Sequence, residues 1–271
     1  MYKLIVSDLD ETLLNDEHKV GRRNIEAIKK ASELGVKFVA ATGRGYSAIE
    51  SVLKELDLDD KEKEYTISFN GCALTENLNS KMLSFNGLPF DKADELFKFG
   101  LTKDVCIHVY TAEIVYVYNL NEDEKSRFTY QKNALTELKK ASIEFLRNTP
   151  IAKVIYQNVD VPYLKSFEDE MKPMTDDTVS LSYSSNRYME LNKIGVNKGN
   201  TMLALAESLG IEQEETIAVG DNYNDMSMLL VAGLSVAAGN AVQDIKDICG
   251  YTCENDNNEG VLAEVIEKFI L

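Results

Sequence analysis

Histidine, tryptophan and paired cysteine are what this chain has least of. Two histidines and no tryptophan in 271 residues leave few candidates for a histidine-dependent triad or a multi-histidine metal site. The four cysteines, Cys72, Cys106, Cys249 and Cys253, fall at unrelated spacings with no CxxC pair. They read as reduced, mostly packed thiols of a cytoplasmic protein rather than as a disulfide framework. Positive charge is also scarce, with 29 Lys and Arg against 45 Asp and Glu and a net charge of −16. That field repels a phosphate backbone or an anionic membrane surface, so nucleic acid and membrane are not expected partners. Long apolar runs are missing too. The longest, 228–239, is broken by Gly233 and Ser235 and falls far short of the ~20 residues a membrane span needs. The N-terminus reaches a carboxylate at Asp8, too soon for a signal peptide.

What remains is an ordinary globular composition, 44% hydrophobic and 27% charged, with length enough for one large α/β domain or two smaller ones. Short apolar runs at 4–7, 36–41 and 65–69 alternate with helix-period segments at 22–33 and 46–56. In the first of those helices Ile25, Ile28, Ala31 and Leu34 mark the apolar stripe. This is the pattern of a parallel sheet covered by helices.

The alternation stops near residue 84. From 85 to 189 the spacing predicts a helix at 91–99, a hairpin of strands 105–110 and 114–118, helices at 122–132 and 134–146, a strand at 152–157, a helix at 161–171 and a second hairpin, 179–183 with 188–191. Hairpins imply antiparallel sheet. The first pattern resumes with a helix at 198–209, strands at 216–219 and 234–237, and helices at 223–232 and 260–269. The expected organisation is therefore an α/β core made of 1–84 and 190–271, interrupted by an α+β domain at 85–189, with hinges near 83–85 and 189–192.

Four patterns sit where open α/β sheets bind ligands, at the ends of strands or the starts of the next helices. Asp8-Leu9-Asp10-Glu11-Thr12 places two carboxylates just past the first strand; alone, it is also what a solvated acidic turn or helix cap looks like. Ala41-Thr42-Gly43-Arg44 offers a hydroxyl and free N–H groups, either an anion site or an N-cap followed by a glycine. In Asn197-Lys198-Gly199 a lysine faces the positive end of a helix dipole. That is unfavourable unless an anion lies between them, or the lysine is simply exposed. Gly220-Asp221-Asn222-Tyr223-Asn224-Asp225 is a second acidic strand end, equally readable as capping chemistry.

Taken together the four converge. In a doubly wound sheet the strands ending at Asp8 and Asp221 can be neighbours, which would gather Asp8, Asp10, Asp221 and Asp225 in one pocket. Such a cluster calls for a cation, and hard oxygen donors without His or Cys favour Mg²⁺. Thr42 and Lys198 supply the phosphate side. A carboxylate nucleophile, a divalent metal, a lysine and N–H donors are the parts of phosphoryl transfer through an aspartyl-phosphate.

With DLDET at 8–12, ATGR at 41–44, NKG at 197–199 and GDNYND at 220–225 in order, and with NG at 70–71 and GNA at 239–241, the chain resembles the haloacid dehalogenase superfamily of phosphohydrolases, specifically its Cof-like sugar phosphatases. The resemblance spans the whole length. It implies a Rossmann-like doubly wound core with an inserted α+β cap that selects a small phosphorylated metabolite, a sugar phosphate foremost. It also implies roles: Asp8 as nucleophile and Asp10 as general acid and base. Mg²⁺ would be held by Asp8, the Asp10 carbonyl and Asp221, with Asp225 ligating or standing behind them. Leu9, Thr42, Gly43, Lys198 and Asn224 would contact the phosphoryl group, and Arg44 the substrate. The departure is Glu11, where the family most often has glycine.

Two rival classes use the residues less fully. Gly43-Arg44-Gly45-Tyr46-Ser47-Ala48 fits a dinucleotide fingerprint, but the next strand ends at Asn70 rather than at the acidic residue that would hold a ribose, and Asp8 and Asp10 stay idle. A non-catalytic sensor of a phosphorylated ligand needs no nucleophile. Elsewhere, Cys249 and Cys253 read as packing, His18 as solvated, and His108 as a surface or cap-facing residue. Tyr110, Tyr116, Tyr118, Tyr183 and Tyr188 read as sheet-packing aromatics.

Overall fold

The computed structural model describes residues 1–130, 135–175 and 177–271. The chain forms two compact units, Met1–Ser84 with Asn197–Leu271, and Phe85–Val196.

The first unit is built on strands β1 (Leu4–Ser7), β2 (Lys37–Ala41), β3 (Tyr65–Ser68), β4 (Ala73–Glu76) and β5 (Lys81–Phe85), joined after the insertion by β12 (Thr216–Gly220), β13 (Leu234–Ala237) and β14 (Tyr251–Thr252). Their order is β14-β13-β12-β1-β2-β3-β4-β5, parallel from β14 to β3 and antiparallel at β4. The run Leu4-Ile5-Val6-Ser7 is buried throughout, because a central parallel strand is covered on both faces and must be apolar at every position. Helices Arg22–Glu33 and Val261–Phe269 flank the sheet through the shared core. Between them the buried Asn24 accepts from the Ala263 N–H at 3.0 Å. Leu34, counted on the apolar stripe, is instead exposed just past the helix end.

Ser7 pairs with Val219 on one side and with Ala40 on the other. The chain thus leaves β1 toward β2 and returns much later to β1's opposite edge. The switch point lies between β1 and β12, and their carboxyl ends carry Asp8 and Asp221.

The second unit contains β6 (Cys106–Thr111), β7 (Val115–Tyr118), β8 (Leu135–Glu137), β9 (Ile151–Gln157), β10 (Val179–Ser184) and β11 (Tyr188–Lys193), ordered β10-β11-β9-β6-β7-β8. Pairing is antiparallel except between β7 and β8. Helix Phe90–Gly100 and helices Val161–Lys165 and Glu168–Thr175 share a core with the sheet, in which Tyr116, Tyr118 and Tyr183 pack as read from the alternation.

Three expectations need correction. The helix placed at 134–146 is not there: within the described part, Leu135–Glu137 is a strand, in which Leu135 packs against Cys106, Val115 and Val117 at the sheet edge. Residue 134, and the last two residues of the helix expected at 122–132, lie outside the described residues. The helix at 161–171 is broken at Phe167, whose ring turns into the core against Phe99, Tyr156 and Tyr163. The return to the first unit comes at Asn197 rather than at 190. Glu190, Leu191 and Asn192 stay in the second sheet, paired with both β9 and β10. Among the described residues no helix is long and apolar enough to cross a membrane.

Candidate active site

At the end of β1 the Asp8 N–H continues the ladder to the Val219 carbonyl at 3.0 Å. The chain then turns through Leu9–Leu13, closed by the Leu14 N–H on the Leu9 carbonyl at 2.8 Å. Leu9 and Leu13 anchor this turn in the core, so Leu9 has only its backbone to offer a ligand. At the end of β12, Gly220 allows Asp225 to fold back over it: a Cβ on Gly220 would lie 2.5 Å from the Asp225 Cβ. Asp225 Oδ2 then accepts from the N–H groups of Asp221 (3.0 Å) and Asn222 (3.2 Å).

Lys198 is the first residue of helix Lys198–Ser208, whose N-cap, Asn197, accepts from the Asn200 N–H. The lysine is wholly buried, which rules out a merely exposed side chain. Its Nζ donates to Asp8 Oδ1 at 2.5 Å and to Asp225 Oδ1 at 2.6 Å. Two glycines permit the close approach. A Cβ on Gly199 would stand 2.2 Å from the Ser227 carbonyl oxygen, and one on Gly71 (φ +98°) 2.2 Å from that of Asn197. Thr201 Oγ1 donates to the Gly71 carbonyl at 2.7 Å and holds that loop in place.

Asp8, Asp221 and Asp225, all buried, bring carboxylate oxygens within 4.8 Å of one another. Burial holds the Asp8 carboxyl well above the usual range, with Asp225 and Asp221 adding to the rise and Lys198 opposing it. Asp221 is pushed up to about 7, chiefly by burial and then by the charge of Asp225, against a 2.6 Å hydrogen bond from Thr12 Oγ1. For Lys198 burial alone would depress the ammonium, but Asp225 and Asp8 hold it well above its ordinary value. The lysine therefore stays charged and still leaves the cluster over-supplied with acid. Hard, buried oxygen donors carrying more negative charge than they can keep are the chemistry of a metal site, and these residues fit one.

Asp10 departs from the expected pocket of four. Its carboxylate is held by Arg44, with Nε donating to Oδ2 at 2.9 Å and a second contact from Nη2 to Oδ1. Its side chain is 44% exposed, because extended backbone at Asp10 and left-handed backbone at Glu11 take it out of the buried cluster. Arg44 therefore engages the second acid. Thr42 is fully buried at the end of β2 and is not a helix cap. Its Oγ1 accepts from the Arg44 N–H at 3.1 Å, while its carbonyl accepts from the Asn70 N–H at 2.9 Å. Gly43 lies against the Asn70 side chain, 3.2 Å from a notional Cβ. Asn224 is exposed on the short turn between Asp221 and Asp225.

The sequence profile of the haloacid dehalogenase-like hydrolases matches residues 5–266. The chain belongs to that family. Among its relatives, phosphatase YwpJ of Bacillus subtilis (strain 168) is 29% identical over 289 residues, covering 96% of this chain and 97% of that protein. The HMP-PP phosphatase of Serratia proteamaculans (strain 568) is 29% identical over 254 residues, with 92% and 88% covered. A haloacid dehalogenase-like hydrolase from Bacteroides thetaiotaomicron superimposes with a TM-score of 0.87 at 29% identity, covering 100% of both chains. As a haloacid dehalogenase-like hydrolase with phosphatases as relatives, the protein is a phosphatase. Within the DLDET turn of this hydrolase, Thr12 carries no signal of its own in the motif. Only its hydrogen bond to Asp221, 209 positions away, reveals that it holds a cluster carboxylate.

Proposed function

We propose that the protein hydrolyses small phosphomonoesters, sugar phosphates foremost, with Mg²⁺ and through an aspartyl-phosphate on Asp8. The observation that carries this reading is the buried Asp8–Lys198–Asp225 arrangement beside Asp221. An Asp8 oxygen attacks phosphorus as the bond to the leaving oxygen breaks, and Asp10 gives that oxygen its proton. Water then attacks the phospho-enzyme, Asp10 takes the proton, and inorganic phosphate leaves with Asp8 restored. Because Arg44 grips Asp10, each proton transfer requires that ion pair to open. Lys198, kept charged, and the backbone of Leu9 and Gly43 with Thr42 and Asn224 bind the phosphoryl oxygens. Asp8, Asp221 and the Asp10 carbonyl would hold Mg²⁺. Asp225, with both oxygens already accepting, orients Lys198 and the Asp221 turn. The ion, when bound, neutralises phosphoryl charge. Residues 85–196 select the leaving group, since the first unit's motifs address only phosphate and metal.

The test is Asp8→Asn against wild type on p-nitrophenyl phosphate and a sugar-phosphate panel. An amide is a poor nucleophile, so turnover is expected to vanish while the circular dichroism spectrum is kept. Unchanged turnover would remove Asp8 from the nucleophile's place.

A further inference from the structure

The turn that carries Asp8 and Asp10 contains an unusual backbone residue. Glu11 is left-handed (φ 59°, ψ 11°), a conformation that crowds the Cβ of a side-chain-bearing residue against the following carbonyl. From outside the turn, the Asn240 side chain donates from Nδ2 to the Glu11 carbonyl at 2.7 Å. The same amide's Oδ1 accepts from the Asn257 N–H at 3.1 Å, so the side chain is held at both ends. Asn257 in turn donates from Nδ2 to the Leu14 carbonyl at 3.1 Å, at the far end of the turn. The loop bearing Asn240 also reaches the second acidic strand end. The Ala238 N–H donates to the Gly220 carbonyl and the Val242 N–H to the Asp221 carbonyl, both at 3.0 Å. Gly239 allows this, because a Cβ there would sit 2.6 Å from the Asn255 carbonyl oxygen. One loop thus ties the nucleophile turn to the turn that carries Asp221.

We propose that Asn240 is a positioning residue for hydrolysis: its side-chain amide, bridging the Glu11 carbonyl and the Asn257 N–H, holds the nucleophile turn in the conformation that sets Asp8 beside Asp221 and turns Asp10 out to Arg44. It touches no reacting atom. The inference rests on the reading of Asp8 and Asp10 given above. Removing the amide lets Glu11 relax toward ordinary backbone and displaces the two acids, an error of orientation rather than of substrate affinity. Glycine at position 11 occupies the left-handed region without penalty, so it makes the turn independent of Asn240.

The experiment measures kcat and KM on p-nitrophenyl phosphate for wild type, Asn240→Ala, Glu11→Gly and the double variant, with Asp8→Asn alongside. In Asn240→Ala, kcat is expected to fall about tenfold to a hundredfold, with KM changed less than about twofold. Glu11→Gly alone stays near wild type, and in the double variant it restores most of the lost kcat. Asn240→Asp, which keeps the acceptor for Asn257 but loses the donor to Glu11, should show the same loss and serves if the alanine variant does not fold. If Asn240→Ala keeps wild-type kcat, or loses it equally with and without Glu11→Gly, while Asp8→Asn is inactive, this inference fails and the proposed function stands. If Asp8→Asn still turns over, both fall.

Discussion

Lys198 Nζ lies 2.5 Å from Asp8 Oδ1 across 190 positions of sequence, and both groups are buried. A buried ion pair of this kind contributes little net stability, because desolvation offsets most of the attraction. Its effect on chemistry is larger: it keeps a cation beside the Asp8 carboxyl and opposes the rise that burial imposes on that group.

That arrangement predicts the outcome of Lys198→Met, which retains the bulk and removes the charge. Asp8 and Asp225 would be left buried against one another without their shared cation. Breaking one side of a buried pair costs about 3–5 kcal/mol, and losing the charge proposed to bind the phosphoryl group is expected to cost on the order of 10²-fold in kcat. Urea unfolding and steady-state kinetics on one preparation would check both. A variant with wild-type stability and turnover would contradict the placement of Lys198.

Metal removal is the second case. The acids of the cluster outnumber Lys198, and burial with the charge of Asp225 pushes Asp221 up to about 7. Activity should disappear on exhaustive chelation with EDTA and return with Mg²⁺, and Mg²⁺ should raise the melting temperature of wild type but much less that of Asp221→Asn. Full activity after chelation would reject the metal.

In the second unit, His108 is buried and 3.3 Å from Glu124 Oε2, yet the contact is not an ion pair. Burial, helped by the Lys153 ammonium, pushes the imidazole down to about 3, and burial raises Glu124 as well. Both groups move toward their neutral forms. An unfolded histidine takes up a proton near pH 6.5 and this one does not, so below that pH the unfolded chain binds more protons. The stability due to neutral His108 is thus complete above about pH 6.5 and lost as pH falls toward about 3, with a slope approaching 1.4 kcal/mol per pH unit from this one group. Unfolding free energies at pH 7, 6 and 5 should show a steeper fall in wild type than in His108→Asn. Parallel curves would exclude His108 as the source.

Substrate choice tests the role of the second unit. Exchanging residues 85–196 for the matching segment of a relative with a different preference, while keeping 1–84 and 197–271, is expected to transfer the preference. If it stays with the recipient's own residues, the inserted unit is not the selector.

Much of this was legible from the chain alone. Elements that are long and strongly periodic, such as helix Arg22–Glu33 and the buried run Leu4–Ser7, follow from local patterning because one buried face or a fully covered strand imposes it. Motifs at strand ends could be located for the same reason. What patterning could not decide were contacts between distant segments. The burial of Lys198, the diversion of Asp10 to Arg44, the hydrogen bond from Thr12 to Asp221 and the bridge from Asn240 to Glu11 all depend on strand order and on glycines that let backbones approach. Leu135, read as helical, became strand because a sheet edge was waiting for it. Local sequence sets which conformations a segment favours. Which side chains meet, and which carboxylates must share a site, is decided only when strands β1 and β12 become neighbours.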